Sequence, residues 1–217
     1  MESLHLDILD QERKDLFQKL SAFHSLGYLS GGTSLALQLG HRISYDFDIF
    51  CPKEISESFA AKVQKEIPVK EVLINNSDEF TFLTGQDIKI SFIFYPFDLR
   101  EYLLEFSGAP LLFASPIGVA LTKAYALNRR NAWRDYVDLY TILKKGIVKL
   151  EEIIQKSQEV YGNLFNEKLF LAQLVYTKDI SEAEIAGTQM IKPTTLQEVA
   201  AFFEKEVTAY VERKLGQ

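Results

Sequence analysis

Gly31-Gly32-Thr33 is followed, after twelve residues, by Asp46-Phe47-Asp48. These residue types suit phosphate and cation chemistry. Glycine lacks a Cβ, so the backbone there can approach a ligand closely. A glycine turn that opens a helix offers free N–H groups, and the helix dipole adds attraction for phosphate. Asp46 and Asp48 lie two apart in an alternating segment, Tyr45 to Phe50, which reads as a strand. Both carboxylates then share a face with Phe50, and their Cα atoms stand about 6–7 Å apart. Carboxylates converging from that distance can share hard cations such as Mg²⁺, which prefers oxygen ligands and phosphate. Two metals about 3.5–4 Å apart recur in phosphoryl and nucleotidyl transfer. Taken singly, Gly-Gly-Thr is an ordinary turn and Asp-x-Asp an ordinary solvated pair. On a strand of otherwise aromatic and aliphatic residues, two acids need partners or metal.

The flanking segments have to position this pair. Leu4 to Leu26 carries helical periodicity, and Gly27 is its stop. Tyr28-Leu29-Ser30 reads as a short strand. Thr33 to Leu39 reads as a short helix with Thr33 as its N-cap, ended by Gly40. Glu54 to Ile67 is helical and closed by Pro68. Val69 to Ile74, Glu79 to Leu83 and Ile88 to Phe94 read as successive strands separated by turn residues. From about Leu112 onward everything reads as helix, and Ser115-Pro116 is a helix start. The expected class is therefore α+β: a mixed-sheet α/β half over residues 1–110 and an all-helical half over residues 111–217.

Composition narrows the function classes. The chain has 217 residues, 47% hydrophobic and 25% charged, which is the balance of a chain that buries a core. A net charge of −6 argues against sequence-blind nucleic-acid binding, which depends on neutralising phosphates. It leaves room for a local basic patch between Lys123 and Lys149, or for a plain solvated helix face there. The single cysteine, Cys51, precludes an internal disulfide and suggests a reducing, cytoplasmic setting. The charged, amphipathic start has no signal-peptide core. The longest uncharged stretch, Phe106 to Thr122, is broken by two prolines, so no membrane partner is expected. His5, His24 and His41 lack metal-ligand spacing, and Cys51 lacks a nearby histidine, so neither zinc nor a covalent nucleophile is supported.

The run GGTSLALQLGHRISYDFDIF resembles the signature of the AbiEii/AbiGii-type toxins, a branch of the DNA polymerase β-like nucleotidyltransferase superfamily. IKISFIFYP is similar to that family's Lys-x-Asp strand. SPIGVALTKAYALNRRNAWRDYVDLYTIL resembles its lysine-bearing helix and its Arg-Asp-x-x-Asp-Leu-Tyr helix. YGNLFNEKLFLAQLVYTKDI is similar to the family's C-terminal helical region, so the likeness runs along most of the chain. It implies an N-terminal nucleotidyltransferase core with a helical domain completing a cleft. Gly31, Gly32 and Thr33 would hold a nucleoside triphosphate, and Asp46 and Asp48 would bind Mg²⁺. Arg42 would lie near the phosphates, with a surface ion pair as its alternative. Lys89 would stand near the active face, and Lys123 would contact phosphate. Asp135 and Asp138, three apart on a helix, would line the cleft; alternatively they form a helix-surface ion-pair cluster with Arg134. Trp133 either stacks a base or packs the helix start onto the core.

One position departs from the pattern. The strand after the hairpin normally supplies a third carboxylate two residues beyond the lysine, and Ser91 stands there. Asp87 and Asp98 are the nearby acids in sequence. Two functions follow from the resemblance. One is a Mg²⁺-dependent nucleotidyltransferase, the toxin of a toxin–antitoxin or abortive-infection system, with an RNA acceptor and a cognate antitoxin as expected partners. The other is a catalytically degenerate module of the same fold that holds a nucleotide or a protein without turnover.

Overall fold

The computed structural model describes residues 3–216. The chain divides into two compact units, Met1–Ser115 and Pro116–Gln217. Among the described residues, seven strands of the first unit form one sheet in the order β3-β4-β5-β2-β1-β7-β6. These are β1 (Tyr28–Ser30), β2 (Phe47–Cys51), β3 (Val69–Asn75), β4 (Glu79–Thr84), β5 (Lys89–Phe94), β6 (Leu103–Leu104) and β7 (Phe113–Ala114). The pairs β2–β5 and β1–β7 are parallel and the rest antiparallel. The sheet extends past residue 110, because Phe113 pairs with Leu29 of β1.

Alternation assigns the two faces. Leu29, Phe47, Ile49, Phe80, Phe82, Ile90 and Phe92 form the core face. They pack on Phe17 of α1 (Gln11–Lys19), on Leu20 and Phe23 just beyond it, and on Val63 of α3 (Phe59–Glu66). Phe92 takes Phe23 and Phe59 edge-on, with ring centroids 5.0 and 4.9 Å away. Such aromatic pairs add roughly 0.5–1.5 kcal/mol beyond simple burial. The other face carries the interleaved residues Ser30, Asp48, Ser91 and Thr81, which stand abreast across four strands.

The helices of this unit differ from expectation in three places. The segment Leu4 to Leu26 is not one helix. Asp10 caps α1 by accepting from the Arg13 N–H at 2.8 Å, and 3₁₀ turns lie on either side of α1. The helix expected from Glu54 starts only at Phe59, because the Ile55 N–H is bonded to the Ser77 carbonyl in the β3–β4 turn. The helix after β1, α2 (Gly31–Leu39), begins at Gly31 with Ser30 in the N-cap position rather than Thr33. It ends at Gly40, whose φ of +59° is the left-handed cap that glycine adopts without strain.

The second unit is helical among its described residues: α4 (Pro116–Leu127), α5 (Trp133–Lys144), α6 (Leu150–Tyr161), α7 (Glu167–Val175), α8 (Glu182–Ala186) and α9 (Leu196–Leu215). Pro116 opens α4 at the first helical position, where its missing N–H costs nothing. The Tyr136 hydroxyl donates to the carbonyls of Gln173 and Tyr176 at 2.7 and 2.8 Å, tying α5 to the end of α7. Thr195 with Glu198 forms a capping box that starts α9. Among the described residues no helix is long and apolar enough to cross a membrane.

Candidate active site

The first unit brings the glycine turn and the acid pair together. Ser30 of β1 lies directly opposite Asp48 of β2. Gly31 follows with a φ of +63°, a conformation that L side chains rarely adopt. A Cβ built at Gly31 would sit 2.8 Å from Asp48 Oδ2. The Asp48 carboxylate is thus laid against the start of α2, where the helix dipole is positive. Gly31→Ala should therefore push the end of a side chain rather than backbone. We expect a loss of stability of about 1 kcal/mol from the strained φ. Activity should fall further than that loss implies, by roughly tenfold, since about 1 Å of misplacement is costly at a reacting centre. Thermal melts and transfer rates for this variant separate the two effects. Unchanged activity would mean that Asp48 does not act from this position.

Asp46 lies just before β2 rather than within it. The segment bearing it is clamped from two sides. The Thr33 hydroxyl is within 2.6 Å of the Ser44 hydroxyl and also donates to the Asp46 carbonyl. Arg13 Nε donates to the Tyr45 carbonyl at 3.0 Å. Thr33 therefore spends its hydroxyl on the acid-bearing loop and not on capping its own helix, which is why α2 starts earlier than expected. The Asp46 carboxylate makes an ion pair of 3.2 Å with Lys89 Nζ, both half-buried. The parallel register that sets Phe47 beside Ile90 brings Lys89 there. Gly32 lies in the first turn of α2. Arg42 is buried rather than at the surface, and its Nη1 donates to the Ile43 carbonyl at 3.1 Å.

Ser91 stands beside Asp48 on the neighbouring strand and is buried. Neither nearby acid in sequence takes its place. Asp87 sits in the β4–β5 turn with a φ of +58° and pairs with Lys70. Asp98 is held by Arg100, whose hydrogen bonds lower its carboxyl to about 2. Glu79 was missed from sequence. It is two residues from Thr81 on β4, and its carboxylate accepts from the Thr81 hydroxyl. The alternation of Glu79 and Thr81 with Phe80 and Phe82 was the available signal.

Asp46 and Asp48 suit a hard dication. Among the described residues no three acids or histidines cluster as a closed metal site. Mg²⁺ does not require one, because it is usually held by one or two carboxylates together with substrate phosphates.

In the second unit, Lys123 of α4 is buried between two acids of α5. Its Nζ lies 2.5 Å from Asp135 Oδ1 and 3.1 Å from Asp138 Oδ2. Both acids are buried, which excludes the surface cluster considered for them, whereas Arg134 is exposed. Arg130 adds a second cation 3.1 Å from Asp135. Burial pushes the Asp135 carboxyl up, but Lys123 and Arg130 together hold it below its ordinary value. Trp133 is 1% exposed, so its ring is a core residue and not a stacking surface. Cys51 is buried, which drives its thiol up to about 12 and removes it as a nucleophile.

A helix that starts on a glycine turn and antiparallel strands that set a carboxylate over that turn make a candidate phosphate- and cation-binding site. The chain matches the family described as nucleotidyl transferase AbiEii toxin, type IV toxin–antitoxin system, over residues 14–212. It belongs to that family. It is also 30% identical over 211 residues to an uncharacterised protein of Aquifex aeolicus (strain VF5), covering 94% of this chain and 98% of that one. Two solved structures share the fold at 14% identity. One is a Helicobacter pylori protein described as a candidate nucleotidyltransferase, with a TM-score of 0.57 and coverage of 94% of this chain and 97% of that one. The other is JHP933 from Helicobacter pylori, with a TM-score of 0.53 and coverage of 96% and 97%.

Proposed function

We propose that the protein transfers a nucleoside monophosphate from a nucleoside triphosphate to an acceptor hydroxyl, releasing pyrophosphate. The observation that carries this reading is the Asp48 carboxylate laid against Gly31, with Asp46 two residues earlier on the loop whose backbone Thr33 and Arg13 clamp. Gly31 and Gly32 let the triphosphate approach the start of α2, and Thr33 positions the acid-bearing loop. Asp46 and Asp48 would hold Mg²⁺, which neutralises phosphate charge and polarises the α-phosphorus. Lys89 balances Asp46 and offers a cation to the phosphates once that carboxylate turns to the metal. Arg42 stiffens the loop from within. Lys123, which the resemblance makes a phosphate contact, is held by Asp135 and Asp138 within the second unit.

RNA is the acceptor we favour, and the cell's own RNA would be the target of a toxin in the cytoplasm. The family's description as the toxin of a toxin–antitoxin system supports a toxin role with a cognate antitoxin as partner. A second reading, binding without turnover, rests on Ser91 standing where a third acid is expected beside Asp48. Incubating the protein with Mg²⁺, RNA and an α-labelled triphosphate separates the two: label enters RNA in the first and stays in the nucleotide in the second.

A further inference from the structure

Ser91 and Thr81 are hydroxyl residues 4% exposed on the neighbouring strands β5 and β4, on the face that bears Asp48. They are directly paired across those strands. Their neighbours along each strand, Ile90, Phe92, Phe80 and Phe82, belong to the opposite, fully apolar face. Facing pairs of this kind place Cβ atoms about 4.5–5.5 Å apart, within reach of a Ser–Thr hydrogen bond; Ser91 and Thr81 are not hydrogen-bonded in this structure, so a turn of the Ser91 side chain has to close that link. The next link is formed in the structure: the Thr81 hydroxyl donates to Glu79 Oε1. Glu79, two residues along β4 from Thr81, is half-buried and so retains contact with solvent. Asp48, Ser91, Thr81 and Glu79 thus make one polar line across an otherwise aromatic sheet.

We propose that Ser91, Thr81 and Glu79 form a proton relay that does the work of the missing third carboxylate. The inference rests on the nucleotidyltransferase reading. The acceptor hydroxyl gives its proton to Ser91 Oγ as its oxygen bonds to the α-phosphorus. The Ser91 proton passes to Thr81 Oγ1, and the Thr81 proton passes to Glu79 Oε1. The bond from the α-phosphorus to the bridging oxygen breaks, and its electron pair leaves with pyrophosphate. Each hydroxyl loses one proton and gains one, so the acceptor's proton ends on Glu79, which returns it to water. Serine alone is too weak a base at neutral pH; the Glu79 carboxylate, hydrogen-bonded to the Thr81 hydroxyl opposite Ser91, supplies the missing basicity.

The tests use the full chain with Mg²⁺, a labelled triphosphate and RNA. Glu79→Gln keeps the shape but cannot take the proton, and kcat should fall roughly 10²-fold with the triphosphate KM unchanged. Thr81→Val breaks the line and should match that loss, while Thr81→Ser should restore most of it. Ser91→Asp puts a carboxylate beside Asp48 and makes the rest of the line unnecessary. The Ser91→Asp, Glu79→Gln double variant should then work at least as fast as wild type. A merely structural role for Glu79 predicts no rescue by Ser91→Asp. Wild-type kcat in Glu79→Gln, or a Thr81→Val variant as active as Thr81→Ser, overturns the relay and leaves nucleotidyl transfer standing. If wild type transfers no label at all, the underlying reading fails instead.

Discussion

Asp48→Ala should lower nucleotidyl transfer by roughly 10³-fold, the upper size of effect when one preorganised charge-stabilising group is lost. Asp46→Ala should be nearly as damaging. Stability should move little, within about 1 kcal/mol for either variant, because both side chains are only partly buried. Removing Asp46 also costs its Lys89 partner an ion pair, but a pair this exposed contributes little. Mg²⁺-dependent affinity for a triphosphate should fall with activity, since a hard dication loses a charged ligand. Calorimetric titration with triphosphate and Mg²⁺, run beside a thermal melt, gives both quantities. Full affinity in both variants would reject metal coordination by this pair.

Lys123→Met should be the most destabilising of the substitutions considered. It leaves two buried carboxylates without the cation between them, a change that typically costs about 3–5 kcal/mol. For a chain of this length that is a fall of about 6–20 °C in thermal midpoint. The pH dependence distinguishes an electrostatic loss from a packing loss. In the native protein the Asp135 carboxyl lies below its ordinary value, burial being outweighed by Lys123 and Arg130 together. Its ionised form therefore stabilises the fold above the unfolded-state value near 3.9, and that contribution is lost as pH falls through the folded value. Without Lys123 the largest influence holding that value down is gone while burial still opposes ionisation, so the carboxyl should sit higher than in wild type. The variant should then lose less stability than wild type as pH falls. The difference in midpoint between wild type and variant should be widest near neutrality and narrow toward about pH 4. A difference that stays constant with pH would assign the loss to packing.

The sequence carries much of this design where the determinants are local. Alternation marks β4 and β5, since Phe80, Phe82, Ile90 and Phe92 recur at every second residue. Ser115-Pro116 marks the start of α4 through a residue that restricts its own backbone. The spacing of Gly31, Asp46 and Asp48 points to one site because each residue type has a specific chemistry. What stays hidden depends on pairing between distant segments. β6 and β7 have two residues each, too few for a period, and form because Leu29 accepts Phe113 as a neighbour. Lys89 meets Asp46 only because β2 and β5 run parallel in one register. The burial of Lys123 is invisible in a sequence that reads equally as a solvated basic face. Thr33 looks like a helix cap by type, yet its hydroxyl serves the loop that carries Asp46.

The central claim is that the Gly31–Asp48 site cleaves a triphosphate at the α-phosphorus and keeps the nucleotide on the acceptor. The direct measurement is parallel incubation of the protein, Mg²⁺ and RNA with the same triphosphate labelled at the α or at the γ position. The account predicts label in RNA from the α position, γ label recovered in pyrophosphate, and neither outcome with Asp48→Ala. Label entering RNA from the γ position, or no transfer from any of the four triphosphates, would contradict it.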